Sequence, residues 1–256
     1  RPYRVTVLIS GSGSNLQALL DATSASDRLL ADCKVTAVIS SRSDAYGLTR
    51  ARSTKPVPTP AEAFPLLRWK KLPGNEQKSR QDWEHQLAQK IVDTRPDVVV
   101  LAGWMLILGP DFLRRLVRNW DDEGGEATAT TDTTPCVDPT GERVGAGLAT
   151  PGHSPYTARS ESLRGSPIPI INLHPALPGQ FPGAHAIKDA YDSYLAGKIT
   201  STGLMIHRVI PELDAGEPVI VREVPIQEGD SLEQLEQRIH TVEHEAIVQA
   251  VRKVVD

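Results

Sequence analysis

Apolar residues in this chain fall in short β-rich runs, each broken by a turn and then resumed at helical spacing. Val5-Thr-Val-Leu-Ile9 stops at Ser10-Gly-Ser-Gly-Ser-Asn15, after which Leu16, Leu19 and Leu20 share one helical face. The order repeats at Val35–Ile39, ahead of a helix near 45–52. It repeats again at Asp97–Ala102, preceded by a helix near 79–94 and followed by one near 110–120. Continuous apolar strands alternating with helices predict a parallel sheet covered on both faces. The first half therefore reads as a Rossmann-like unit.

From about Asp121 to Ser166 the pattern dissolves into Gly, Thr, Ser, Asp and Pro with no period, which predicts a mobile low-complexity insertion. Order resumes at Pro167–Ile171 and continues through a helix near 186–196. Two β-rich runs follow, 203–209 and 218–224. The short turn between them favours an antiparallel pair, because a parallel crossover needs about a dozen residues. The last element is a helix over 231–255, with Ser231 as N-cap and Gln234 completing a capping box. The predicted fold is a single α/β domain over 1–256: a Rossmann-like, mostly parallel twisted sheet with helices on both faces and an antiparallel C-terminal strand pair.

Composition narrows the partners. A hydrophobic content of 39% in 256 residues supports one sizeable core. The net charge of -4, without any Lys/Arg run, supplies no field for nucleic acid. Cys33 and Cys136 lie far apart without metal-ligand spacing, which fits a reducing compartment. No apolar run approaches the length of a membrane span. The expectation is a cytoplasmic protein, monomeric or a weak homodimer, acting on small molecules.

Three constellations could carry chemistry. Gly11-Ser-Gly13-Ser14-Asn15 turns a strand into a helix, so free N–H groups and the helix dipole offer an anion site suited to a sugar-phosphate. The dinucleotide fingerprint fails there, since its third glycine position is Leu16, and Gly-Lys-Ser/Thr is absent. Asn172 and His174 sit two apart at the end of a strand, on one face, with Leu173 turned to the core. An amide donor beside an imidazole suits acyl transfer, the first stabilising an oxyanion and the second moving protons. Asp214 precedes Gly216 in the turn between the late strands, where it is either an Asx-turn residue or a carboxylate facing His174.

His240-Thr-Val-Glu243-His244 matches an inverted zincin pattern, yet too little chain follows it to supply a third ligand, and no metal is expected. His85, His153, His185 and His207 read as packed or hydrogen-bonded structural residues.

Taken together, Leu8–Gln17, Asp97–Met105, Asn172–Leu177, Glu212–Gly216 and Thr241–His244 resemble, in order, the signature segments of phosphoribosylglycinamide formyltransferases. That resemblance implies transfer of the formyl group of 10-formyltetrahydrofolate, a co-substrate, to the amine of glycinamide ribonucleotide through a tetrahedral intermediate. It implies catalysis by Asn172, His174 and Asp214, with Gly13, Ser14 and Asn15 on the substrate phosphate and Glu243 near its ribose and glycinamide. The pterin would enter a slot lined by Met105, Leu106, Ile107 and Leu108 and reached by Asn172, with Arg80 beside the folate tail. Leu106 stands where relatives often carry Arg. Methionyl-tRNA formyltransferase and formyltetrahydrofolate deformylase share the Asn-x-His and Asp core, but Ser14-Asn15 favours a small phosphate-bearing acceptor. An NADP-dependent oxidoreductase is suggested only by the first glycine turn and Arg42.

Overall fold

The computed structural model describes residues 1–24, 28–118 and 165–256. Residues Arg1–Leu116 and Pro167–Asp256 form one compact unit. The second unit is Val117–Ser166; within it the Arg118 N–H donates to the Ser166 carbonyl and the Gly165 N–H to that of Arg118. The insertion expected at about 121–166 lies, but for its last two residues, outside the described residues.

The main unit opens with β1 (Tyr3–Ile9), α1 (Ser14–Ala22), β2 (Cys33–Ser40) and α2 (Tyr46–Arg52). Next come β3 (Ala61–Ala63), α3 (Leu66–Lys70), α4 (Arg80–Asp93), β4 (Val98–Leu101) and α5 (Pro110–Arg115). The chain closes with β5 (Ile170–His174), α6 (Ala186–Leu195), β6 (Ser201–Arg208), β7 (Pro218–Pro225) and α7 (Leu232–Val255). The strands form one sheet in the order β3-β2-β1-β4-β5-β6-β7. Pairing is parallel from β3 through β5, and β6 runs antiparallel to both β5 and β7.

The strands predicted to be continuously apolar are the buried centre of this sheet: Val5, Val7, Val98, Val100 and Ile171 are fully inaccessible. Leu16 and Leu19 of α1 and Ile239, Ile247 and Val251 of α7 pack into the same core. The predicted cap of α7 is present, and α4 carries a second one of the same kind. Ser231 accepts from the Gln234 N–H, and Gln234 returns a bond to the Ser231 N–H, while Ser79 and Asp82 do the same for α4.

Three features depart from the sequence reading. β3 and α3 fall in a stretch that carried no assignment. Helix α5 ends at Arg115 rather than near residue 120, because the Leu116 carbonyl accepts from the Ile168 N–H as the chain turns toward β5. The antiparallel arrangement extends to β5–β6, although a helix connects them.

Strand order reverses between β1 and β4, which leave in opposite directions along the sheet. The loops after two such strands splay apart and leave a crevice at their carboxyl ends, the usual ligand position in an open α/β sheet.

Candidate active site

A cavity of about 1260 Å³ occupies that crevice, entered by the loops after β1, β4 and β5 and by the long turn between β6 and β7. It is lined by Gly13, Ser14 and Asn15, by Met105 through Leu108, by Asn172, His174 and Asp214, and by Glu243. Apart from Arg80, every site residue that the resemblance implies thus lines one space.

The β1–α1 turn is built for close backbone approach. Gly13, the N-cap of α1, has φ 72°, and a Cβ there would sit 2.6 Å from the Gly47 Cα on α2. Gly47 donates its N–H to the Gly11 carbonyl, and Arg50 Nε donates to that of Ser12, so α2 holds the turn from beneath. The first-turn N–H groups of α1 receive no side-chain cap. Asn15 is buried and donates from Nδ2 to Glu243 Oε2 at 2.9 Å, while its Oδ1 has no partner. Glu243 is therefore committed to the turn. Its neighbour His244 is pushed below its ordinary value by burial, with Glu243 opposing and His240 and Arg50 adding to the effect. Among the described residues no group of three or more His, Cys, Asp or Glu side chains is placed to hold a metal ion.

At the end of β5 the expected pair and acid meet. Asp214 lies at φ 50° in the β6–β7 turn, with its side chain largely buried. Its Oδ2 is 3.5 Å from His174 Nδ1 and accepts from the Gly183 N–H at 3.3 Å. Its Oδ1 accepts from Asn172 Nδ2 at 3.4 Å and lies 3.5 Å from His207 Nε2. Burial pushes the Asp214 carboxyl up, but the His207 hydrogen bond, the His174 charge and the Gly183 N–H outweigh it and hold the group below the usual carboxylate range. His174 Nε2 faces the Phe181 carbonyl at 3.0 Å, which can only accept. A ring protonated on both nitrogens donates to Phe181 and to Asp214 at once.

His207 is the residue that sequence reasoning passed over. On β6 it lies opposite Asn172 in the β5–β6 register, with its Nε2 3.2 Å from Asn172 Nδ2. Its Nδ1 faces the Arg208 carbonyl at 2.9 Å and must donate there, while its Nε2 faces Asn172 and Asp214 together. Gly216 makes this arrangement possible, since a Cβ there would fall 1.7 Å from the Arg208 carbonyl oxygen.

The loop after β4 forms the apolar wall. Met105 and Ile107 are 64% and 61% exposed, whereas Trp104 and Leu108 are buried behind them. Trp104 stacks on Trp83, which stacks on Phe64. Met105 donates its N–H to Ser10 Oγ at 3.0 Å, tying the wall to the start of the glycine turn. Arg80 does not line the cavity. Its guanidinium bonds Glu84 and the Ile107 carbonyl from behind the wall.

The family model of the formyl transferases matches residues 3–119 and 160–251, which carry the glycine turn, Asn172, His174, Asp214 and Glu243. Phosphoribosylglycinamide formyltransferase of Schizosaccharomyces pombe is 40% identical over 251 residues, spanning 98% of this chain and 96% of the relative. The Dictyostelium discoideum protein of the same name is 37% identical, spanning 98% and 97%. Among solved structures, glycinamide ribonucleotide transformylase 1 from Symbiobacterium toebii superposes with a TM-score of 0.67 at 28% identity, covering 98% of this chain and 86% of that one. The chain belongs to the phosphoribosylglycinamide formyltransferase family.

Proposed function

We propose that this enzyme transfers the formyl group of 10-formyltetrahydrofolate to the amine of glycinamide ribonucleotide. The observation that carries this reading is that one carboxylate, Asp214, reaches His174 and Asn172 in the same cavity that is lined by the glycine turn at the head of α1. The volume supports two ligands, since clefts for a single small molecule span roughly 300–1,000 Å³. The ribonucleotide phosphate would sit on the N–H groups of Ser14 and Asn15 at the head of α1. The unpartnered Asn15 Oδ1 and the Glu243 carboxylate beside it accept from the hydroxyl and amide donors of the same substrate. Met105, Ile107 and Leu108 give a flat heterocycle an apolar wall, and Asn172 closes its inner end.

In the reaction the substrate amine adds to the formyl carbon and the bond to the folate nitrogen breaks. The amine loses one proton and the leaving nitrogen gains one, so the site needs a relay rather than a net acid or base. Asp214 aligns His174 through Nδ1 and passes the amine proton on to the leaving nitrogen. The Asn172 amide and His174 Nε2, released from the Phe181 carbonyl, face the developing oxyanion. Both Asn172 Nδ2 contacts are long, at 3.2 and 3.4 Å, and one is exchanged for that oxygen as charge appears.

A formyl-transfer assay offering glycinamide ribonucleotide, initiator Met-tRNA or water alone decides between acceptors. The ribonucleotide is expected to be preferred, and preference for either other acceptor overturns the proposal.

A further inference from the structure

We infer that Glu84 is a positioning residue for the folate slot, acting with Arg80 as a brace behind its wall; this rests on the reading of the Met105–Leu108 wall given above. Glu84 lies on α4 with its side chain 8% exposed, and a carboxylate at that depth is retained only where its oxygens are paired. Each oxygen has a separate partner. Oε1 accepts from Arg80 Nε at 3.0 Å and Oε2 from the Gly109 N–H at 3.2 Å. Arg80 Nη2 then donates to the Ile107 carbonyl. One turn of α4 therefore holds an acceptor and a donor of the wall's backbone, two residues apart.

The fit is close. A Cβ on Gly109 would lie 2.8 Å from Glu84 Oε2, so glycine is what lets the backbone reach the carboxylate. The wall needs such a hold because it carries Met105 and Ile107 with most of their surface exposed, a conformation that hydrophobic burial opposes. Its other end is fixed by the Met105 N–H on Ser10 Oγ. The brace contacts neither the catalytic cluster nor the phosphate turn. Its loss should loosen one ligand and leave the other.

The test is steady-state kinetics of Glu84→Ala and Glu84→Gln, with calorimetric titration of tetrahydrofolate as a readout independent of turnover. The alanine variant is expected to raise KM for formyl folate about tenfold and to weaken tetrahydrofolate to match, with kcat and ribonucleotide KM within about twofold. Glutamine keeps an acceptor for the Gly109 N–H and is expected to recover part of the loss. Arg80→Ala combined with Glu84→Ala should cost no more than the worse single change, because both act through one brace. Folate KM and tetrahydrofolate affinity within twofold of wild type in Glu84→Gln and Glu84→Ala overturn the inference. So does a fall of kcat alone in proportion to the folded fraction, the signature of a purely structural residue. If Glu84→Ala does not fold, Glu84→Gln alone decides, an unchanged folate KM again overturning the inference. Absence of formyl transfer to the ribonucleotide by the wild type would instead strike the proposed function.

Discussion

His207 lies directly across the β5–β6 ladder from Asn172, and the carboxylate that touches its ring is the one that faces His174. The acid is thus shared between two imidazoles. Among the interactions that depress the Asp214 carboxyl, the bond to His207 is the strongest, and it works against burial. Removing it in His207→Phe leaves burial less opposed, so the Asp214 value rises. The acid limb of the pH–rate profile is expected to move upward relative to wild type, with ribonucleotide KM little changed. An unmoved limb would remove His207 from the control of Asp214.

His174→Ala and Asp214→Asn should each lower kcat by more than about tenfold while ribonucleotide affinity stays nearly intact, because both act on the reacting centre and neither on the phosphate. Steady-state kinetics checks this. Wild-type turnover in either variant excludes that side chain from the relay.

Asn15→Ala and Glu243→Gln are expected to raise ribonucleotide KM with little change in folate KM. Since the two side chains bond each other at 2.9 Å, their effects should be less than additive in a double-mutant cycle. Additive losses would mean that they serve the substrate independently.

The start of α7 carries an acid-labile clasp. Arg238 donates to both Asp230 oxygens, at 2.6 and 2.8 Å, and with the Gln227 N–H holds that carboxyl at about 2 despite desolvation. A carboxyl depressed in the folded state stabilises above its unfolded value and loses that contribution as pH falls through the folded one. The Tm difference between wild type and Asp230→Asn should therefore be full at neutral pH and shrink between about pH 4 and about pH 2. A gap independent of pH would contradict the clasp.

Gly13→Ala should lower stability by about 1–3 kcal/mol, read as a reduced urea midpoint at unchanged m, since the new methyl would meet the Gly47 backbone. Ribonucleotide KM should rise with it. A midpoint equal to wild type would show that α2 yields readily.

Legibility from sequence followed the range of the interactions. The β1–α1 turn, the cap of α7 and the buried strands are written in neighbouring residues and stand as read. β3 was not legible, because Ala61-Glu62-Ala63 is a three-residue edge strand without an apolar run, and α3 has only five residues. The role of His207 was hidden for another reason. Its partner Asn172 is 35 residues away and meets it only through the antiparallel β5–β6 register, which a helical connection gave no reason to expect. Arg80 could be found but not oriented, since its direction depends on Glu84 and the Ile107 carbonyl.

The hydrogen bond from Asn15 to Glu243 joins residues 228 positions apart, the first turn of the first helix to the middle of the last. A ribosome making this chain therefore displays the glycine turn well before its acidic companion. Until α7 docks, a nascent chain can present backbone N–H groups to an anion but cannot complete the acceptor pocket. The acceptor pocket consequently marks completion of the domain.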